Sequence, residues 1–418
     1  MKQCNILILL LFGGFLQFLD AETLYLSSFL PSEQYTCTER ENMRVYVDNR
    51  YRGLQNRQRR IFLEKAGDIT DDFYQGSVYL LKNMRRDSTL VSQPIDNSFP
   101  VQCTIDTSGA AGRDQLALPL RTGFPVLREG VIKPGDSWKA DGRDSLFTTT
   151  LEYIDTPFHC TYVYRGEDII FEKVAQIIEF EYSFYDSSPY TSEEIEIRGR
   201  ASGEIALFEN DLEGFFIKER IIRHFIKPDG KVEKREEGFR LTWGQGITRG
   251  QIDDLEKKIT GLLEETDSGG DDLQDGVQNR EMDEVLSKTG TEKDDKKIEV
   301  ERTAEGIKLN LPSIHFYPDE ARILPDERER LDRLSRILLE NSERDFMVKG
   351  HTADVGTKES QYLLSMERAK TIIEELAKRG LSEDKFIFMG LGGDEPVAEN
   401  DTEEGREKNR RVEVYILW

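Results

Sequence analysis

The sequence predicts a multi-domain protein: an N-terminal all-β domain, either a barrel or a sandwich, followed by a C-terminal α/β domain with the element order β-α-β-α-β-β. The chain has 418 residues, which is more than one ordinary hydrophobic core accommodates. Short runs that alternate apolar and polar residues dominate 22–250, as in strands with one buried face. Residues 305–418 combine such runs with apolar positions at helical spacing, so a different fold class begins there.

The N-terminus has the pattern of an export signal. Lys2 supplies a positive charge, residues 6–19 are apolar apart from two glycines and one glutamine, and Ala21 offers a small residue for cleavage. The apolar run is shorter than the roughly 20 residues that a spanning helix needs. We therefore expect residues 1–21 to be a cleaved signal peptide, with a retained anchor as the alternative.

Residues 22–250 form the predicted β-rich domain. Alternation is clear at Arg44–Val47 and Ile177–Tyr185, and Pro228–Gly230 between two such runs predicts a hairpin turn, because proline presets one dihedral and glycine accepts positive φ. Helical spacing is weak throughout this region apart from Leu54–Ala66, where it predicts a short helix. Charges interrupt the alternation every few positions, as in Ile217–Ile222, which favours a domain in water over one in lipid.

The next segment, 251–304, is predicted to be an acidic linker. Residues 251–300 hold 16 Asp and Glu against 7 Lys and Arg, and no aromatic residue. We expect Ile252–Leu263 to form a short helix packed on the β domain, and the remainder to be an extended tether that lets the two domains move independently. The net charge of the chain is -23. Such a surface repels phosphate backbones, so nucleic acid is not an expected partner.

The chemistry-bearing residues do not indicate an enzyme, a cofactor or a metal site. The chain lacks a phosphate-binding loop, a serine-nucleophile elbow and a cluster of His and Cys with metal-ligand spacing. The chain holds so many Asp and Glu residues that their number alone does not indicate whether two of them form a carboxylate pair for glycoside hydrolysis. Beyond the predicted signal peptide lie Cys37, Cys103 and Cys160. Two of them could pair in an oxidising compartment, or all three could be buried thiols.

Residues 305–418 form the predicted α/β domain. Apolar positions at 3.6-residue spacing predict its two helices, and Gly380 is expected to end the second. The predicted elements are a strand over Ile307–Leu311 that continues over Ile314–Tyr317, a helix opening at Pro325, a strand at Phe346–Val348, a helix over Lys358–Arg379, and strands at Lys385–Leu391 and Arg410–Trp418.

Four segments of this domain carry a family resemblance. They are Gly350-His351-Thr352 at the end of a strand, Leu364–Ala369 (Leu-Ser-Met-Glu-Arg-Ala) within the next helix, Gly390-Leu391-Gly392 followed by Pro396 and Asn400, and Gly405–Glu413. With these segments in this order, residues 305–418 resemble the OmpA-like family, also called the OmpA/MotB C-terminal family. The resemblance implies noncovalent binding of peptidoglycan through its stem peptide, usually at diaminopimelate.

The resemblance also implies a binding site. In the family, an Asp directly after Gly-His-Thr takes the ammonium of the stem peptide, and the Arg of the Leu-Ser-x-x-Arg-Ala motif clamps its carboxylate. Arg368 matches that arginine. The Asp position holds Ala353, and the next residue is Asp354.

Three further positions complete the implied site. Thr352 ends the Gly-His-Thr segment, Gln361 stands where the family generally has Asn, and Arg410 is the first arginine of the terminal Asn-Arg-Arg motif. The predicted peptidoglycan-binding residues are therefore Thr352, Asp354, Gln361, Arg368 and Arg410. Asn409 and Arg411 are expected to fix the last loop and strand by hydrogen bonds.

Together these features predict a non-catalytic cell-envelope protein of the periplasm, associated with the outer membrane in one version of the hypothesis. Its C-terminal domain would bind the peptidoglycan stem peptide and tether the β domain, which could contact outer-membrane or periplasmic proteins. The alternative is a structural or protein-interaction role, in which Ala353 marks a domain whose peptidoglycan binding is lost or altered.

Overall fold

The computed structural model describes thirteen stretches of the chain. They are residues 34–66, 73–85, 92–105, 111–113, 121–128, 132–147, 153–186, 196–208, 214–268, 298–311, 314, 316–317 and 320–418. The predicted signal peptide and residues 269–297 of the predicted tether lie outside them. Among the described residues, no helix is both long enough and apolar enough to cross a membrane.

Twelve strands come from the N-terminal part of the chain. They are β1 (Gln34–Val47), β2 (Arg50–Lys65), β3 (Phe73–Arg85), β4 (Gln93–Pro94), β5 (Asn97–Ile105), β6 (Ala111–Arg113), β7 (Ser137–Phe147), β8 (Tyr153–Ile170), β9 (Lys173–Asp186), β10 (Glu196–Phe208), β11 (Phe215–Ile226) and β12 (Val232–Ile247). All except β4 form one antiparallel sheet in the order β6-β5-β3-β2-β1-β12-β11-β10-β9-β8-β7. A single sheet of eleven strands is not the two-sheet sandwich that was one of the predicted alternatives.

Side-chain contacts show that this sheet curls. Arg240 on β12 donates to Asp144 on β7 at 2.5 Å, although five strand spacings separate these strands in the sheet order. In a flat sheet that separation would be roughly 24 Å. The concave face therefore encloses an interior, and apolar residues from β1 to β11 fill it together with residues of the segment between β6 and β7.

A belt of charged side chains crosses the same interior. Arg240 binds Glu41 at 2.6 Å, Arg223 binds Glu41 at 2.6 Å, and Arg57 binds Glu236 at 2.7 Å. The ten members, which we call the interior ion network, are five arginines and five acids, so their formal charges cancel: Arg57, Arg59, Arg121, Arg223, Arg240, Glu39, Glu41, Asp144, Glu219 and Glu236.

The predicted helix near Leu54–Ala66 is wrong, because these residues lie within and just after β2. β2 pairs with β1 on one side and β3 on the other. Ile61 faces the interior core, whereas Phe62 faces outward into a second buried cluster. A strand that is buried on both faces loses the alternation by which strands are recognised. The predicted turn at Pro228–Gly230 is confirmed, with Gly230 at φ 81°.

The C-terminal domain is built on a six-stranded sheet in the order β13-β14-β17-β15-β16-β4. Its further elements are α1 (Arg249–Ser268), β13 (Glu299–Arg302), β14 (Gly306–Leu311), α2 (Arg328–Leu339), β15 (Phe346–Gly350), α3 (Lys358–Ala377), β16 (Phe386–Gly390), α4 (Glu403–Asn409) and β17 (Val412–Leu417). Both α2 and α3 pack on one face of this sheet, where buried aliphatic and aromatic side chains form a continuous core.

The division into an N-terminal β region and a C-terminal α/β domain is confirmed, with two local differences. The strand predicted to continue over Ile314–Tyr317 ends at Leu311, and Phe316 forms an isolated bridge with Ile323 instead. The sheet also begins with β13, inside the stretch predicted to be linker. Helix α3 ends as predicted near Gly380, which has φ 103°.

Helix α1 packs on the C-terminal domain, so the prediction that it packs on the β domain is wrong. Leu255 and Ile259 are buried in the core that α2 and α3 share. Lys258 donates to Asn341 at 3.0 Å, just after α2, and Arg302 of β13 binds Asp253 at 2.7 Å. The sequence gives the helix an apolar stripe, but a stripe does not identify the surface that covers it.

The two domains are docked through their sheets, which corrects the prediction that they move independently. On the C-terminal side, Met347, Ile387, Met389, Tyr415 and Leu417 form the sheet face opposite α2 and α3. The outer face of β2 and β3 covers it with Phe62, Tyr79 and Leu81, and Ile95 joins the same cluster.

Polar contacts frame this docking face. Arg60 donates to Asp345 at 2.8 Å, Tyr79 donates to Glu305 at 2.5 Å, and Lys349 donates to the Tyr79 hydroxyl at 3.0 Å. Strand β4 leaves the N-terminal region and pairs with β16 in parallel. The acidic linker therefore joins two domains that share a buried apolar face.

In the described part of the chain, Cys37, Cys103 and Cys160 are buried thiols that form no disulfide, which corresponds to the second of the predicted alternatives. Burial raises the pKa of the Cys160 thiol to about 12. Its neighbour His159 is largely exposed and contacts Asp141, since adjacent residues of a strand point to opposite faces.

Candidate functional site

Helix α3 and the strand ends beside it frame the site. Thr357 caps the helix by accepting from the Ser360 N–H at 3.2 Å. Gln361, Ser365 and Arg368 are all buried on one face of the helix, at the spacing i, i+4 and i+7. In this polar stripe of α3, Gln361 and Ser365 contact the loop that follows β16, and Arg368 contacts the loop that precedes α2.

Glycines at the ends of β15 and β16 let α3 lie directly on the strands. A Cβ at Gly350 would come within 2.1 Å of the Ser365 carbonyl oxygen, and one at Gly390 within 2.4 Å of the Met366 nitrogen. Any other residue at these positions would push the helix away. The glycines of both motifs thus place the following loops against the polar stripe.

Thr352 lies in the first of these loops and is 6% exposed. Its N–H donates to the Gly392 carbonyl at 2.8 Å, which ties the loop after β15 to the loop after β16. Its hydroxyl is buried and has no hydrogen-bond partner among the described residues. Ala353 follows at 5% exposure, so the position that holds Asp in the family lies in the same buried surface.

Asp354 is half exposed and held by neighbours in its own loop and in α3. Gln361 Nε2 donates to Asp354 Oδ1 at 3.0 Å, and Lys358 Nζ lies 3.4 Å from the same oxygen. The hydrogen bond from Gln361, then the Lys358 ammonium, hold the pKa of this carboxyl below its ordinary value. Gln361 Oε1 accepts from the Gly393 N–H at 3.2 Å, so this amide bridges the two loops.

Arg368 is buried, with 6% of its surface exposed. Its Nε donates to the Glu320 carbonyl at 3.2 Å, and its guanidinium carbon lies 4.8 Å from the centroid of the Phe316 ring. Both partners precede α2, about 50 residues earlier in the chain. Sequence reasoning missed Phe316 and Glu320, and no motif marks them, because their role depends on where that loop crosses α3.

Arg410 lies at the end of α4, half-buried, and its Nη2 contacts Glu403 Oε1 at 2.5 Å. Asn409 accepts from the Val397 N–H at 2.8 Å and the Ala398 N–H at 3.0 Å. Its amide also donates to Asn400 Oδ1 at 3.0 Å, which in turn accepts from the Asp354 N–H at 3.1 Å.

Arg411 forms a second anchor for the same loop. It binds Glu413 at 2.9 Å and donates to the Glu395 carbonyl at 3.1 Å. The structural roles predicted for Asn409 and Arg411 agree with these contacts. The last motif therefore fixes the backbone on which Asp354 rests.

His351 connects the loop to the sheet. It is 1% exposed, and its Nε2 lies 3.4 Å from Glu413 Oε2. Burial lowers the pKa of His351, although the Glu413 carboxylate opposes that shift. The buried position of the imidazole next to Thr352 suits an orienting role.

The structure places Gln361 and Arg368 on one face of α3, with Asp354 against Gln361 and Arg410 at the end of α4. Asp354 and Gln361 are in contact, whereas Arg368 lies seven residues further along the helix, about 10 Å along its axis. Asp354 is bound to Gln361 and Lys358, and Arg410 to Glu403. Within the described ranges, no three His, Cys, Asp or Glu residues are grouped as a metal site.

Comparison with known proteins defines the class of protein. The model of the OmpA family matches residues 315–410, the segment that holds α2, the loop after β15 and the whole of α3. The chain belongs to this family through its C-terminal domain. The resemblance inferred from the four motif segments is confirmed.

Named relatives match the same domain. The peptidoglycan-binding protein ArfA of Mycobacterium tuberculosis is 36% identical over 103 residues, which are 25% of this chain and 32% of ArfA. The outer-membrane lipoprotein YfiB of Pseudomonas aeruginosa is 33% identical over 113 residues, 27% of this chain and 67% of YfiB. The chain thus spans about a third of the length of ArfA.

A solved structure is also similar to this chain. It is an outer membrane protein of Borrelia burgdorferi B31, with 32% identity and a TM-score of 0.25, covering 29% of this chain and 98% of that one.

Proposed function

We propose that this chain is a non-catalytic cell-envelope protein whose C-terminal domain binds peptidoglycan through the stem peptide. Membership of the OmpA family supports the proposal, as does similarity to a relative that is itself named a peptidoglycan-binding protein. The family's arginine is present as Arg368, inside a polar stripe that two glycine-ended strands hold in place.

The observation that carries the proposal is the hydroxyl of Thr352. Buried polar groups almost always have a hydrogen-bond partner, and an exception calls for an explanation. This hydroxyl has none among the described residues, and it lies in the motif loop beside the polar stripe of α3. A bound stem peptide would supply the missing partner.

The remaining residues would each contact a different part of a zwitterionic side chain of the stem peptide. Arg368 would bind the carboxylate through its planar guanidinium, whose position the Phe316 ring and the Glu320 carbonyl restrict. Asp354 would attract the ammonium, and Gln361 would hold the loop that presents it. Arg410 would add positive charge at the edge of the site once its contact with Glu403 opens.

Replacing Arg368 with alanine tests this assignment. One charge-assisted hydrogen bond contributes roughly 1.5–3 kcal/mol, so we expect the affinity for isolated peptidoglycan sacculi to fall about 10- to 150-fold. The measurement is co-sedimentation of the purified full chain with sacculi over a range of concentrations.

Two further variants keep that test decisive. Lys370→Ala removes one positive charge from an exposed position of the same helix and should leave binding unchanged. Because Arg368 is buried, Arg368→Lys is the second control. Lysine keeps the positive charge but lacks the planar guanidinium that binds a carboxylate through two N–H groups, so we expect an intermediate affinity. If wild type and Arg368→Ala bind sacculi equally and both chains are folded, the proposal that this site binds the wall is contradicted.

Ala353 supports a second candidate function, in which the domain has lost or altered its recognition of diaminopimelate. The alanine lies at the position of the family's acid, is buried, and offers no charge to an ammonium. Ala353→Asp is then expected to create or strengthen binding to diaminopimelate-type sacculi about tenfold or more, as one charge-assisted bond would. Co-sedimentation with sacculi of that chemotype measures the change.

A matched neutral variant separates charge from shape in this experiment. Ala353→Asn has nearly the same size as Ala353→Asp but carries no charge, so only the aspartate should gain affinity. If neither variant gains affinity, the missing acid does not account for any weakness of binding, and the second candidate function fails.

The N-terminal β region would lie close to the wall in this proposal. Because this region docks on the C-terminal sheet through a buried apolar face, wall binding would hold the curled sheet beside the wall and not at the end of a long tether. We infer a periplasmic location on the basis of the expected export signal. Partners of the β region would be outer-membrane or periplasmic proteins.

A further inference from the structure

A row of side chains on the docking face of the C-terminal sheet leads toward the candidate site. Alternate residues of a strand point to the same face, so Leu417, Tyr415 and Glu413 of β17 share one side of the sheet. Leu417 and Tyr415 belong to the apolar docking cluster, and Glu413 is the next position toward the loop that follows β15. The docking face therefore changes from apolar to charged as it nears that loop.

Glu413 is buried and contacts three side chains in the described part of the chain. The Tyr415 hydroxyl donates to its Oε2 at 2.7 Å, Arg411 Nη2 lies 2.9 Å from its Oε1, and His351 Nε2 lies 3.4 Å from its Oε2. Burial alone would raise the pKa of Glu413, but these contacts hold it below its ordinary value. A buried anion depends on such partners, because a buried charge that loses one of them is costly.

His351 and Arg411 connect Glu413 to the loops of the candidate site. His351 directly precedes Thr352, and its N–H donates to the Arg411 carbonyl at 3.0 Å. The Arg411 guanidinium donates to the Glu395 carbonyl at 3.1 Å, in the loop that follows β16. The loop after β15 and the loop after β16 are therefore both connected to one carboxylate on the docking face.

Tyr79 of the N-terminal sheet meets the same row of side chains from the other domain. Its hydroxyl donates to Glu305 at 2.5 Å and accepts from Lys349 at 3.0 Å. Lys349 Nζ lies 4.8 Å from the centroid of the Tyr415 ring, and Lys349 pairs with Glu413 across the β15–β17 ladder. One side chain of the N-terminal sheet therefore contacts the group of residues that surrounds Tyr415 and Glu413.

Separation of the two domains would expose this face of the sheet to water. Water competes for the hydrogen bonds of Tyr415 and Lys349, and its high dielectric constant weakens charge contacts such as that of Glu413 with Arg411. In the docked protein these groups are shielded from water, so their contacts are stronger. The loop that contains Thr352 is then held from the docking face as well as from α3.

We infer that docking of the N-terminal sheet positions the peptidoglycan-binding loops through Tyr415, Glu413 and His351, so the docked protein binds the wall more tightly than a separated one. The inference rests on the proposed function, because it concerns the same site. These three are positioning residues, which hold the loop backbone and do not themselves contact the stem peptide. Linkage is reciprocal, so a bound stem peptide would stabilise docking by the same factor.

Tyr415→Phe tests the inference. Phenylalanine keeps the ring in the docking cluster and removes only the hydroxyl that donates to Glu413. Co-sedimentation of the purified full chain with sacculi should show an affinity about 2- to 30-fold below that of wild type, the range in which residues remote from a site alter coupling between sites. Tyr46→Phe is the matched control: it removes a hydroxyl bound to Glu237 outside the docking cluster and should leave the affinity unchanged.

A double-mutant cycle shows whether the effect depends on docking. Tyr79→Phe keeps the ring and removes the hydroxyl that contacts Lys349 and Glu305, so it should also weaken binding. Both variants would interrupt one series of contacts. The double variant should therefore lose less affinity than the product of the two single losses.

Amide hydrogen exchange supplies a readout that does not require the ligand. Peptides that cover 350–356 should exchange faster in Tyr415→Phe than in wild type, whereas peptides from the buried part of α3 should not change. Equal sacculus binding by wild type and Tyr415→Phe, single losses that multiply in the double variant, or unchanged exchange at 350–356 would each overturn the inference. Failure of the wild type itself to sediment with sacculi would instead contradict the proposed function, and the inference with it.

Discussion

Replacing Arg240 with alanine is expected to lower the free energy of unfolding of the N-terminal sheet by ~3–5 kcal/mol. Arg240 is fully buried and binds Glu41 at 2.6 Å and Asp144 at 2.5 Å. Alanine would leave Asp144 in the interior with its remaining arginine contacts at 3.7 and 3.8 Å, and Glu41 with two arginine partners in place of three. The cost is that of an uncompensated buried charge, which exceeds the value of an ordinary surface ion pair.

The pH dependence of the stability of the wild type tests the interior ion network independently. Burial opposes ionisation of Asp144 and Glu236, yet the surrounding cations lower the pKa of each to about 2, from ordinary values of 3.8 and 4.5. Carboxyls with depressed folded-state pKa values stabilise the fold above their unfolded pKa values. That stability is lost as pH falls from about 4.5 toward 2, so acid should unfold the sheet in this window.

Urea denaturation followed by tryptophan fluorescence measures both effects, since Trp138 and Trp243 lie on β7 and β12. Arg235→Ala is the matched control, because Arg235 is on the same strand but its side chain is 36% exposed and faces Glu237. That variant should change stability by less than about 1 kcal/mol. Similar losses for Arg235→Ala and Arg240→Ala would contradict an essential interior ion network.

Tyr79→Ala is expected to undock the two domains. Tyr79 is 2% exposed, packs against Phe62 at 6.0 Å between ring centroids, and contributes its hydroxyl to both Glu305 and Lys349. Removing a buried aromatic side chain costs about 3–5 kcal/mol, and here Glu305 also loses one hydrogen-bond donor. The docking equilibrium should move toward separation by about 100-fold or more.

Small-angle scattering of the full chain detects this change as a larger radius of gyration at unchanged secondary structure. Tyr51→Ala supplies the comparison, because Tyr51 belongs to the neighbouring strand β2 but is 58% exposed and outside the docking cluster. A scattering profile of Tyr79→Ala that matches the wild type would show that other contacts suffice to hold the domains together.

The sequence predicted the C-terminal domain closely because each of its elements buries one face. The helices α2 and α3 show apolar residues at helical spacing, and their ends are marked by Pro325 and Gly380. In the N-terminal sheet, β2 does not bury a single apolar face, because Arg57 and Arg59 face inward and Phe62 faces outward. No pattern in a single sequence indicates that these two arginines will be bound in the interior by acids from three other strands.

For the candidate site, the motifs located the right loops but not the contacts within them. Arg368 is recognisable from its motif, yet its burial depends on Phe316 and Glu320 from a distant loop. Asp354 is adjacent to the family's acid position in sequence, and the fold turns it toward Gln361 and Lys358. One step along an irregular loop redirects a side chain, and only the fold determines where it points.

The cancellation of charge inside the curled sheet has a consequence for how copies of the protein meet. The five arginines of the interior ion network offset its five acids, so the formal charge of -23 resides on the remainder of the chain. Counter-ions shorten the reach of this charge to about 8 Å at physiological ionic strength. Neighbouring copies would therefore repel one another only at close range, which opposes clustering while allowing a dense, evenly spaced layer.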